Sequence, residues 1–148
     1  MILATIILTA SAALSQKNSQ QTAPPAYEPK WTTAATQHGG KIVHDIDTNS
    51  INFENDSTFV FVHRVRIVGA MKAPNGKSFN QHISFNRVDC ESQRTRIMQD
   101  VMLMDLNPVM FNVASINDDF STPAEQTVHG YMMTKFCPLA QHSSETGI

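Results

Sequence analysis

The densest hydrophobic pattern in the chain is "TFVFVHRVRIV", residues 58–68. Phe59, Phe61, Val65 and Ile67 fall on every second position, with His63 among them, which puts them on one pleat face of a strand. β-branched and aromatic residues fill the run, as a pleated, half-buried surface favours. The alternate face starts with Val60 and Val62 and ends with Arg64 and Arg66, apolar at one end and wet at the other. A Pro-Asn-Gly turn at 74–76 then leads into "FNQHISFNRVDC", residues 79–90, read as the returning strand. Its apolar positions move from Phe79, Ile83 and Phe85 to Val88 and Cys90. That change of parity implies a β-bulge near Asn86 or Arg87 if both sets face the core. "RTRIMQDVMLMD" follows a tight turn, with Ile97, Val101 and Leu103 on one face and Arg94, Arg96 and Asp100 on the other. Upstream, "WTTAAT" (31–36), a Gly-Gly turn and "KIVHDID" (41–47) read as a hairpin. A separate short strand is expected around 50–54, before an Asn55-Asp56 turn, and one short edge strand at 110–114.

From residue 122 the period changes to that of a helix. Thr122 is an N-cap candidate, Pro123 suits the first helical position, and Glu125 completes a capping box. At 100° per residue, Ala124, Val128, Tyr131, Met132 and Phe136 fall within about 140° of one another, a stripe wide enough to lie on a sheet. Pro138 disfavours helical geometry at Cys137, so the helix is expected to end there. The fold class predicted is α+β: an antiparallel sheet of about five to six strands in a meander, with one C-terminal helix packed on it.

The length of 148 residues suits one domain. Ile2 to Thr9 form an apolar run too short to span a bilayer as a helix, followed by small residues. Residues 1–15 read as a secretory signal peptide, cleaved after Ser15 or after Ala12. No Lys or Arg precedes the run, which leaves a start further upstream open, and no cysteine near the cleavage site offers a lipid anchor. Residues 16–30, polar and Pro-bearing, read as a flexible leader; 31–138 form the single domain, and 139–148 a frayed tail. No membrane span is expected once the signal is removed. Export places Cys90 and Cys137 where disulfides persist. Two cysteines allow one intramolecular bridge; two buried free thiols or an intermolecular bridge are the alternatives. An internal bridge closing a loop of roughly 47 residues would contribute about 4 kcal/mol on chain-entropy arithmetic.

The net charge of −2 and the charged fraction of 16% argue against a nucleic-acid partner, which needs a basic stripe. Arg64, Arg66, Arg87, Arg94 and Arg96 fit a solvated sheet face. The six histidines, His38, His44, His63, His82, His129 and His142, show neither HxxxH on a helix nor a strand pair at i, i+2. His63 reads as a satisfied core residue and His129 as solvent-facing at the edge of the helical stripe. His44, Asp45 and Asp47 do not make a divalent site, because strand neighbours point to opposite faces. Asp118 and Asp119 read as a solvated turn and not as a catalytic pair. No nucleophile elbow, phosphate loop or Cys-x-x-Cys occurs. The eight methionines read as adaptable core filling, with an exposed partner patch as the alternative. A non-enzymatic protein without cofactor or metal is expected.

Trp31, "DTNSI" (47–51), "VDCESQRTRIM" (88–98) and the closing Tyr131 and Cys137 together resemble the surface-adhesin protein E-like family, small exported proteins of Gram-negative bacteria. The resemblance covers residues 31–137. It implies a sheet of about six strands tied to its terminal helix by a Cys90–Cys137 disulfide. It also implies a periplasmic or surface location and, for the adhesins, host matrix proteins as ligands; it supplies no catalytic residues. The function expected is an exported protein-binding module acting through the sheet face or edge, with homodimerisation open to the same edge. The alternative is a periplasmic accessory protein of an envelope assembly with no host ligand.

Overall fold

The structure, a computed structural model, describes residues 26–114, 120–124 and 126–142. The signal peptide, most of the leader, Glu125, Asp118, Asp119 and the last six residues lie outside these. Six strands run in chain order: β1 (Trp31–Gln37), β2 (Ile42–Asn55), β3 (Thr58–Lys72), β4 (Ser78–Asp89), β5 (Arg94–Met104) and β6 (Asn107–Val113), followed by α1 (Val128–His142). The strands form one antiparallel sheet in the order β1-β2-β3-β4-β5-β6. This is the expected meander with its terminal helix. The β1–β2 turn places His38, Gly39 and Gly40 in succession at positive φ, 51°, 65° and 86°, which the two glycines tolerate without a Cβ penalty.

Helix α1 crosses one face only. Phe59, Phe61 and Val88 of the sheet meet Val128, Met132, Met133 and Ala140 of the helix in a buried cluster that includes Cys90 and Cys137. The two cysteines form a disulfide with Cα atoms 5.4 Å apart, joining the chain just past β4 to the helix. Among the described residues, no helix is long and apolar enough to cross a membrane.

Several boundaries differ from the expectation, each for a physical reason. The hairpin arm and the separate strand at 50–54 are one long strand, β2, with a register shift between Asp47 and Asn52. The edge strand is longer than expected and takes in Pro108, which an edge tolerates. The helix starts at Val128, not at Pro123. Thr127 is its cap: the Gly130 N–H donates to Thr127 Oγ1 at 3.1 Å, whereas Thr122 lies outside the helix. Nor does the helix stop at Cys137, because Pro138 sits inside it. The proline removes one ladder hydrogen bond, but the bridge at Cys137 and the burial of Ala140 (1% exposed) hold the last turn on the sheet. The tail expected to fray from 139 is helical to His142. The buried stripe is rotated as well. Met133 is inside, and Tyr131 is 45% exposed beside Lys135.

The bulge belongs to β5 and not to β4. Phe85 pairs with Gln99 and Asn86 with Ile97, so Met98 is the extra residue. Strand β4 alternates without interruption: Ser84, Asn86 and Val88 face the helix, paired beside His63, Phe61 and Phe59, while Ile83 and Phe85 face away. Because of the bulge, Ile97 and Val101 lie on opposite faces, contrary to the alternation expected of β5. Asp100 accordingly shares the helix-side face with His82.

Candidate functional site

The face away from α1 has no element packed over it among the described residues. The pairing registers set out its rows. One row runs Asp45, Arg64, Ile83, Val101, Phe111; the next runs Asp47, Val62, Phe85, Gln99, Val113. Along these two rows the face is charged toward β1 and apolar toward β6, while the row of Val60 brings Arg87 and Arg96 to the same face. Phe111 is 61% and Val113 66% exposed, on a strand paired along one side only. Val62, Ile83, Phe85, Val101 and Phe111 line a shallow depression there.

At the charged end, the Asp45 carboxylate is almost fully buried. It accepts bonds from Thr33 Oγ1 at 2.9 Å, Arg64 Nη2 at 2.9 Å and Arg66 Nε at 2.6 Å. Burial alone would raise its pKa; the hydrogen bonds from Arg66, Thr33 and Arg64 outweigh that and hold it at about 2. The Arg64 guanidinium also stacks on Trp31, 4.0 Å from the ring centroid. These arginines are thus a structured cluster and not merely a solvated face. Asp47, beside it, fastens residues 26–30, which are pinned where a flexible leader was expected. It accepts bonds from Tyr27 Oη, from the Lys30 N–H at 2.8 Å and from the Asn49 N–H at 3.0 Å. Its hydrogen bond, reinforced by burial and by its charge, pushes the Tyr27 phenol up to about 12.

On the helix side the structure assembles three histidines from three elements. His44 Nδ1 and His63 Nε2 share a hydrogen bond of 3.1 Å, with the rings stacked at 5.3 Å. His63, 7% exposed, meets the ring of His129 edge-on at 5.8 Å. His129 faces the sheet and not solvent, correcting the reading of the helical stripe: its Nε2 donates to Asn86 Oδ1 at 2.9 Å. Asn86 is fully buried and donates in turn to the Ser84 carbonyl and hydroxyl. The remaining half-buried histidine, His82, pairs with Asp100 at 2.6 Å. Among the described residues, no group of three His, Cys, Asp or Glu side chains converges to hold a metal ion. His44 stands on the helix face and Asp45 and Asp47 on the other, as strand alternation requires. Met132 and Met133 fill the core, while Met71 is 49% exposed.

Cys90 and Cys137 are the sequence-named site residues that the fold joins. Asp45 with its two arginines, and the histidine cluster, went unread. The Arg-x-Arg alternation of β3 beside the Asp-x-Asp alternation of β2 is the signal that would have found the first. The chain matches no protein-family model, no curated protein and no solved structure.

Proposed function

We propose that this is an exported, non-enzymatic protein-binding module of the bacterial envelope, engaging its partner through the uncovered sheet face at the β6 edge. The observation that carries this reading is the apolar strip of Val62, Phe85, Val101 and Phe111 running out to an edge strand whose Phe111 and Val113 are exposed. An edge that carries apolar side chains and no Lys or Glu is a site for an incoming strand or surface. The apolar amino-terminal run, the Cys90–Cys137 bridge and the resemblance to adhesin E-like domains support an extracytoplasmic address. The partner is a protein, either a host matrix component or a subunit of the envelope, and a second copy of the chain fits the same edge.

The test places a photo-crosslinking residue at position 111 and, as control, at the exposed turn residue Lys77, in cells that make the protein. Adducts to a defined partner at 111 and none at 77, lost when Val113→Asp is added, are expected. No adduct at 111, or one indifferent to Val113→Asp, overturns the reading. Protease shaving of intact cells separates a host-facing module from the periplasmic alternative. Turnover of ester or phosphodiester substrates by the purified protein would show it to be an enzyme and overturn the non-enzymatic reading.

A further inference from the structure

We infer that His44, His63 and His129 form an acid-released latch that holds the N-terminal half of α1 on the sheet. The latch sits where the helix meets β2 and β3, and it is built for neutral rings. Between His44 Nδ1 and His63 Nε2 there is room for one proton, donated by one ring to the other. If both rings are protonated, two N–H groups face each other across 3.1 Å. The His44 Nε2 is buried without a hydrogen-bond partner, so nothing among the described residues accepts the second proton of that ring. His129 already donates through Nε2 to Asn86, whose amide is committed to Ser84. A proton on its other nitrogen would sit in the first turn of α1, where the helix dipole opposes positive charge.

Among the described residues, the anion that favours charge on His44 and His63 is Asp45, on the far side of the sheet and already bound by Arg64 and Arg66, and burial outweighs it. Strand β1 brings no charge to this face; β2 brings His44, with Asp45 and Asp47 on the far side. Strand β3 brings His63, with Arg64 and Arg66 on the far side, and β4 brings His82, whose partner Asp100 comes from β5. Helix α1 brings His129, and Lys135 on its flank, held by Tyr131. Burial first, then the neighbouring His129, His44 and His82, presses the His63 pKa down to about 3; burial likewise lowers His44 and His129. In an opened helix His129 and His63 gain solvent, and their side chains, free to turn to water, return toward an ordinary histidine pKa near 6.5. Protons therefore bind the open form preferentially, and stability of the closed form is complete above pH 6.5 and falls below it. For His63 alone, the opening constant rises on the order of fifty-fold between pH 6.5 and 4.5. The Cys90–Cys137 bridge lies at the other end of the contact and keeps the released helix attached, so the opening is local and reversible.

The experiment follows amide hydrogen exchange of the oxidised protein from pH 7.5 to 4.5, normalised to unfolded-peptide rates, alongside NMR titration of the imidazoles. Residues 128–135 should lose protection by at least tenfold, while β3 and β4 keep theirs. His63→Phe with His129→Leu should abolish that loss. If protection of 128–135 holds while His63 and His129 titrate near pH 6.5, the latch does not exist. Nor does it exist if the double variant opens as the wild type does. Should that variant fail to fold, the wild-type titration decides alone. The latch does not depend on the β6 edge binding a partner.

Discussion

Replacing Cys137 by Ser removes the one covalent tie between the helix and the sheet. The bridge closes a loop with a sequence separation of 47 residues. Chain-entropy arithmetic gives about 4 kcal/mol for a loop of that length at 25 °C. For a domain of this size that corresponds to a fall in melting temperature of roughly 15 °C. Both cysteines are buried, at 3% and 5% exposure, and an unpaired serine hydroxyl in either place adds a desolvation cost of about 1 kcal/mol or more. The bridge acts as a unit. Cys90→Ser, Cys137→Ser and the double variant should therefore fall together, with a large coupling in the double-mutant cycle. Thermal denaturation followed by circular dichroism, with free-thiol counts on each variant, measures this directly. Reduction of the wild type should reproduce the loss without any substitution. If reduced and oxidised protein melted within a degree or two of each other, or the two single losses simply added, the bridge would not be the clasp described.

Asp45→Asn leaves Arg64 and Arg66 facing each other around a neutral amide, and should cost about 2–4 kcal/mol at pH 7 in chemical denaturation. Its pH signature is separate. A carboxyl held at about 2 in the fold but ordinary when unfolded contributes stability above pH 3.8. That contribution, about 2 kcal/mol, is lost as pH falls toward 2, and acid denaturation of Asp45→Asn should lack that segment. Thr127→Ala removes the cap on the Gly130 N–H and should cost about 1 kcal/mol, whereas Thr122→Ala should cost nothing measurable by the same denaturation assay.

Strands were legible where a period of two ran through β-branched and aromatic residues, as in β3, because alternation is a property of the backbone. The helix boundaries were not. Thr122, Pro123 and Glu125 satisfy every local rule for a helix start, yet Val128 is the first residue the sheet can bury, and tertiary contact outweighs a cap. Pro138 satisfies the local rule for a helix end, yet it is overridden by the bridge at the preceding residue. Faces were misassigned in β5 because a single extra residue, Met98, reverses the alternation, and no residue type announces it. The clusters were out of reach for a different reason. Asp45 meets Arg64 only once the register of β2 on β3 is known, and His129 meets Asn86 only once the helix is rotated onto the sheet.

The two faces of the sheet respond to acid in different windows. On the open face Asp45 stays ionised down to about pH 2, because two guanidinium groups and a hydroxyl bond its charged form. Its charge is then constant through the range in which histidines titrate. At the latch on the helix face the titratable groups are imidazoles buried in their neutral form, so any change there begins near pH 6.5 and is well advanced before Asp45 takes up a proton. The strands themselves carry both sets of residues, and side chains of successive positions, His44 and Asp45 or His63 and Arg64, belong to opposite faces. Acid can therefore loosen the helix without altering the charge of Asp45 on the opposite face. Because the bridge holds the helix within reach of its seat, reclosing is an intramolecular step at high effective concentration. Neutralisation alone then restores the closed form.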